Sequence, residues 1–235
     1  MLPMTNDNCC VIFGATGGLG GSLSRALAGK IDQKMILVGR NILNDPHITY
    51  SCDNRNLAEI NSTLDDIEKV HGKIVSAIDL TGAIQISLFE KLESADFESL
   101  ISTNIIGPMN MAKAFMARSN DDIVVRLIFL SSVLVENSVV GANVYASTKG
   151  AIETFVKASA KELFRHNIVI NAIRLGYFDA GMINKVPSSV LARAISRTSV
   201  ERLGNTNDLA PLIKFLIRDA TDYLTGTTIA LTGGD

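Results

Sequence analysis

Cysteine is scarce in this chain and long apolar runs are missing. Its 235 residues include three cysteines, Cys9, Cys10 and Cys52, too few for a disulfide framework. Cys9 and Cys10 are adjacent at the start of an apolar stretch, and all three read as small core residues with reduced thiols. His47, His71 and His166 have no ligand spacing with one another or with the cysteines, so no catalytic metal is expected. The longest apolar runs are strand-sized, well short of the roughly 20 residues a membrane helix requires. The opening MLPMTNDN lacks a basic stretch followed by an apolar core, so no signal peptide is expected and a cytoplasmic location is the default. Neither sign of charge dominates. A formal net charge of −2 gives no reason to expect a nucleic-acid partner.

What is present is apolar material in short, regular pieces. Hydrophobic residues make up 47% of the chain, enough for one α/β domain over residues 1–235 with a substantial core. Strands are expected at 9–13, 34–38, 47–51, 73–78, 124–131, 168–174 and 228–231, and helices near 18–29, 55–71, 94–118, 143–166 and 207–218. This alternation implies a parallel sheet with helices on both faces. Right-handed crossovers make it a Rossmann-type, doubly wound sheet of about seven strands, with its ligand crevice at the carboxyl ends of the strands.

Two patterns carry chemistry. In CCVIFGATGGLGGSLSRAL, Gly14, Gly18 and Gly20 follow an apolar run and open a helix. The strict G-x-G-x-x-G template fails because Thr16 fills its second glycine position. Missing side chains still let backbone approach a pyrophosphate, whose charge is favoured at the helix N-terminus. In VYASTKGAIETF, Tyr145 and Lys149 are four residues apart and share one helix face. A nearby ammonium favours phenolate and draws the phenol pKa from about 10 toward working pH. Ser132, thirteen positions before the tyrosine, supplies a hydroxyl for the substrate oxygen. Together they suggest acid–base chemistry on an alcohol or ketone. Taken alone, Y-x-x-x-K reads equally as a packed Tyr beside a solvated Lys.

Further along, KMILVGRN ends the second strand in Arg40, twenty residues after Gly20. NAD sites place a carboxylate there for the ribose hydroxyls. A guanidinium instead pairs with a 2′-phosphate, so NADP(H) is favoured, with Asn41 as a further contact. The alternative is a surface Arg covering the strand end.

The ordered set of glycine-rich turn, Asp53, Asn104 in STNIIGP, Ser132 in FLSS, Tyr145, Lys149, NAIRLGYFDAGM, ERLG and TGTTIALTGG resembles the short-chain dehydrogenase/reductase family from about Cys9 to Gly234. It is most similar to the 3-oxoacyl-[acyl-carrier-protein] reductases. That resemblance implies a catalytic set of Asn104, Ser132, Tyr145 and Lys149, with Asn104 holding a water that links Lys149 to solvent. It implies cofactor contacts at Gly14, Thr16, Gly18, Leu19, Gly20, Arg40, Asn41, Asp53, Asn54, Gly82, Tyr145, Lys149, Gly176 and Phe178. Asp53 is placed near the adenine amino group, with the following backbone closing over the ring; it reads equally as the N-cap of the helix beginning near Arg55. The family's N-N-A-G becomes Asp79, Leu80, Thr81 and Gly82 here, and its Pro-Gly and Thr become Leu175-Gly176 and Ala180.

By this resemblance the expected activity is NADPH-dependent reduction of a carbonyl to a secondary alcohol, on a 3-oxoacyl thioester linked to an acyl carrier protein or coenzyme A. A free small-molecule ketone or alcohol, and a catalytically poor NADP-binding subunit or sensor, are the other readings. Residues 183–202 are expected to form a short amphipathic lid, Arg126 and Arg174 to receive an acidic carrier or act as ordinary surface charges, and the chain to form a homodimer or homotetramer.

Overall fold

The computed structural model describes residues 8–41, 48–118, 123–181, 183, 186 and 188–235. His47, with which the third strand was expected to begin, and lid residues 182, 184, 185 and 187 lie outside the described residues. Seven parallel strands form one sheet in the order β3-β2-β1-β4-β5-β6-β7. They are β1 (Cys9–Phe13), β2 (Lys34–Gly39), β3 (Ile48–Ser51), β4 (Ile74–Asp79), β5 (Val125–Ser132), β6 (Ile168–Leu175) and β7 (Thr228–Leu231). The order reverses between β1 and β4, which opens a crevice at their carboxyl ends.

The sheet is buried on both faces because its central strands are mostly apolar, with Ser76 and Asp79 in β4 and Arg126, Ser131 and Ser132 in β5 as the polar exceptions. In β1, Cys9, Val11 and Phe13 enter one core with Ile60 and Leu64 of α2 (Leu57–His71), Met111 and Phe115 of α4 (Gly107–Met116), and Ile152 and Val156 of α5 (Asn143–Phe164). Cys10 and Ile12 enter the opposite core with Leu23 and Leu27 of α1 (Gly18–Leu27), and Leu209 and Ile213 of α7 (Thr206–Lys214). Strand alternation sends neighbouring residues to opposite layers. Burial pushes the Cys10 thiol up to about 12, which leaves it without reactive thiolate.

Two expected helices are interrupted. The segment 94–118 divides into α3 (Ser94–Ile101), a π-helical turn at Ser102–Ile106, and α4. Pro108 starts α4, where its missing N–H costs little. Gly107 is needed for close approach, since a Cβ there would lie 2.5 Å from Asn54 Nδ2. The segment 207–218 likewise ends in a π-helical turn at Phe215–Asp219. The segment 183–202 contains α6 (Ser188–Arg197). Among the described residues, no helix is long and apolar enough to cross a membrane.

Candidate active site

The carboxyl ends of the strands border a trench made of two joined clefts. The larger, about 260 Å³, runs from the glycine-rich turn past Gly82, Ser132, Tyr145 and Lys149 to Gly176 and Phe178. The smaller, about 140 Å³, includes Thr16, Arg40, Asp53 and Asn54. Gly14, Gly17, Leu80, Thr81 and Gly82 line both. Leu19 and Gly20 border the larger cleft, so the turn and the start of α1 lie along one side.

The glycines serve main-chain packing as much as ligand access. Gly14 has φ +76°, and a Cβ there would come within 2.8 Å of the Leu80 carbonyl carbon. At Gly20 a Cβ would meet Gly14 O at 2.4 Å. Gly18 faces Gly181 across the trench, where a Cβ would lie 3.0 Å from Gly181 N. The turn therefore needs these glycines before any ligand arrives.

At the chemistry end, α5 carries Tyr145 and Lys149 on one buried face, while β5 delivers Ser132. Ser132 Oγ accepts from Leu134 N at 3.2 Å. Burial pushes the Tyr145 phenol up to about 12, against the lowering effect of a hydrogen bond with Ser132. This corrects the expectation that Lys149 acidifies the phenol. Its Nζ donates to Leu130 O at 3.0 Å and stands 6.0 Å from the tyrosine ring centroid. Loss of water around the phenol therefore outweighs the distant cation. Burial also lowers the Lys149 pKa, partly offset by attraction to Asp79.

Asn104 is buried outside the trench lining. Its Oδ1 accepts from Ala83 N at 2.7 Å, and its Nδ2 donates to Ala83 O and Thr148 Oγ1, each at 2.9 Å. The side-chain amide thus clamps the loop after β4 to α5, leaving no side-chain donor for the expected water. Thr148 Oγ1 passes the restraint on to Tyr145 O at 2.7 Å.

Asp79 shows what replaces the family's first asparagine. It is 2% exposed and accepts from Thr81 N at 2.9 Å and Thr81 Oγ1 at 2.5 Å. Thr81 Oγ1 in turn accepts from Asn54 Nδ2 at 2.8 Å. The loop after β4 is consequently tied to the loop after β3. Asn54 is itself buried and lines the smaller cleft, with its amide engaged by Thr81.

Asp53 does not cap α2. Asn56 occupies that position, accepting from Ala58 N at 3.0 Å and Glu59 N at 3.4 Å, the geometry a cap requires. Asp53 instead binds the Arg55 side chain through both carboxylate oxygens. Arg40 lines the same cleft, whereas Asn41 lines a separate small crevice behind β2 with Thr49 and Tyr50. Gly176 abuts Thr232, and the Phe178 ring packs on Gly204 in the core.

Arg126 and Arg174 are not free cations. Arg126 pairs with Asp222 at 2.6 Å. Arg174 binds Glu153 through Nε and Nη2, at 2.9 and 2.6 Å, and also pairs with Glu136. Sequence reasoning missed Arg55, Thr81 and Tyr177. Tyr177 borders the larger cleft and packs on the cluster containing Tyr145, and its place beside Gly176 was the available signal.

A family model described as "Enoyl-(Acyl carrier protein) reductase" matches residues 35–234. The 3-oxoacyl-[acyl-carrier-protein] reductase of Homo sapiens is 25% identical over 97% of this chain and 98% of the relative. The Thermotoga maritima protein of that name is 26% identical over 96% of each chain. In fold, the chain is similar to a variant of actinorhodin polyketide ketoreductase solved with NADPH, with a TM-score of 0.85, 20% identity and 98% coverage of each chain.

Proposed function

The chain belongs to the short-chain dehydrogenase/reductase family, and within it we propose an NADPH-dependent ketoreductase that reduces a 3-oxoacyl thioester to the secondary alcohol. The observation that carries the reading is Tyr145: a phenol held protonated by burial, hydrogen-bonded to Ser132 and opening onto the trench. Burial keeps this phenol protonated at neutral pH, so it has a proton to give to a developing alkoxide.

The trench fits a dinucleotide. Its two clefts are continuous, Gly14, Gly18 and Gly20 bring main chain and the α1 N-terminus to its centre, and Arg40 supplies positive charge at the far end. Bound NADPH would supply the hydride. Gly18, Leu19 and Gly20 would hold the pyrophosphate, Thr16 and Arg40 the adenosine phosphate, Asp53 and the Asn54 main chain the adenine, and Gly82, Gly176 and Phe178 the nicotinamide side. Ser132 would hold the substrate oxygen while Tyr145 gives it a proton. Lys149 orients the cofactor from its anchor on Leu130 O, and Asn104 keeps the loop after β4 fixed to α5. Ile84, Leu134, Ile183 and Val186 give the larger cleft the apolar wall an acyl chain requires.

The names of the relatives support a carrier-linked thioester. The carboxylate partners of Arg126 and Arg174 argue that any acyl carrier protein docks elsewhere. The reading keeps residues 1–235 as one NADP-binding domain with a lid near 183–202. Exposed Ile101, Ile106 and Phe164 support a homodimer or homotetramer.

Following NADPH oxidation with acetoacetyl thioesters and with simple ketones tests the proposal. Thioester reduction is expected, and Tyr145→Phe should lower turnover about a thousandfold while retaining NADPH binding. Unchanged turnover in the variant would remove Tyr145 as the acid. Reduction of free ketones alone would replace the thioester, and binding without turnover on either class would favour a sensor.

A further inference from the structure

Asp53 and Arg55 form an ion pair inside the cleft that Arg40 borders. Arg55 N and Nε donate to Asp53 Oδ1 at 3.0 and 2.9 Å, while Nε and Nη2 donate to Oδ2 at 3.0 and 2.5 Å. Every one of these bonds spans two residues of chain, so the pair closes locally and holds no distant elements together. Exposed pairs of this kind contribute little to stability. Its visible effect is electrostatic: it neutralises the carboxylate in the cleft's adenosine region. Asp53 would otherwise set a full negative charge beside Arg40 and oppose a phosphate ester there.

We propose that Arg55 is a specificity-determining residue for the dinucleotide: by engaging both oxygens of Asp53, it screens that carboxylate and leaves Arg40 as the net charge read by a 2′-phosphate. Asp53 can then remain in the adenosine cleft without selecting against NADPH. This inference rests on the cofactor reading above. It makes the motif Asp53-Asn54-Arg55 a compensated unit, in which removal of the acid should suppress the effect of removing the base.

Direct titrations of NADPH and NADH by nicotinamide fluorescence, at low and high salt, test this on the wild type, Arg55→Ala, Asp53→Asn and the double variant. Thermal melts verify that each variant is folded. Arg55→Ala should weaken NADPH about tenfold and NADH by less than twofold, with the NADPH loss shrinking as salt rises. The double variant should restore the NADPH-over-NADH preference to within about threefold of wild type, whatever both cofactors lose together at the adenine. Equal losses for both cofactors would make Arg55 a structural residue and overturn the proposal. A double variant whose NADPH preference stays as low as that of Arg55→Ala would also overturn it, showing that Arg55 contacts the phosphate itself. A wild type that binds NADH better than NADPH would instead overturn the cofactor premise, before any variant is considered.

Discussion

At one end of the trench Tyr145, Lys149 and Asp79 are 6%, 5% and 2% exposed; at the other, the Asp53 and Arg55 side chains are 26% and 41% exposed. The buried groups are moved from their ordinary ionisation mainly by loss of water, upward for the phenol and Asp79, downward for Lys149. Asp53 is moved chiefly by its hydrogen bond to Arg55, which lowers it. One end therefore uses desolvation to set proton affinity, and the other uses neighbouring charge to set ligand preference. The first is costly to alter because each group is enclosed. The second is open to substitution and sensitive to salt.

The largest expected effect lies at the enclosed end. Ser132→Ala removes the hydroxyl paired with Tyr145 and should lower kcat/KM by about a hundredfold, with NADPH affinity held within about twofold. Steady-state kinetics and a direct binding titration separate the two outcomes; a shared loss of binding and rate would erase the division between the ends. Next comes Arg40→Ala, for which NADPH affinity should fall about tenfold while NADH affinity stays level. Parallel titrations check it, and equal weakening of both cofactors would mean that Arg40 reads no phosphate.

The smallest effect is thermodynamic. Burial raises the Asp79 carboxyl, so its contribution favours folding below the ordinary aspartate pKa of about 3.9 and is lost as pH rises through the folded value. Asp79→Asn keeps an acceptor for Thr81 and cannot ionise. Its stability relative to wild type should increase as pH rises above about 4, because only the wild type must then ionise a buried carboxyl or hold a proton against the rising pH. Denaturant melts across that range measure the difference. A flat or falling difference would show that attraction to Lys149 outweighs the burial cost of Asp79.

The same contrast explains which features could be read from sequence. β1, β5 and β6 are almost entirely buried, and their apolar stretches at Cys9–Phe13, Leu127–Leu130 and Ile168–Ile170 announced them. The seven-stranded parallel sheet followed from their alternation with helices. Tyr145, Lys149 and Ser132 do meet at one cleft. The π-helical turns were not legible, because helical periodicity continues through them; only Gly107 and Pro108 hinted at the first. Nor could sequence reveal the partners of Arg126, since Asp222 is 96 positions away. The capping of α2 stayed open because Asp53 and Asn56 are both competent caps, and only the chain's path decides between them. The phenol's proton affinity was misjudged for a related reason: i, i+4 spacing brings Lys149 near, but burial and the pull of Leu130 O are tertiary facts.

Gly18 and Gly181 meet as main chain on main chain in the wall of the larger cleft. The contact there has no side chain to trim and no room for one to be added. Redesign for another dinucleotide or a bulkier ketone must consequently be carried out at the extremities, and changes at one should leave the other undisturbed. Gly18→Ala, by contrast, would press a methyl group onto the Gly181 main chain and disturb the larger cleft from within.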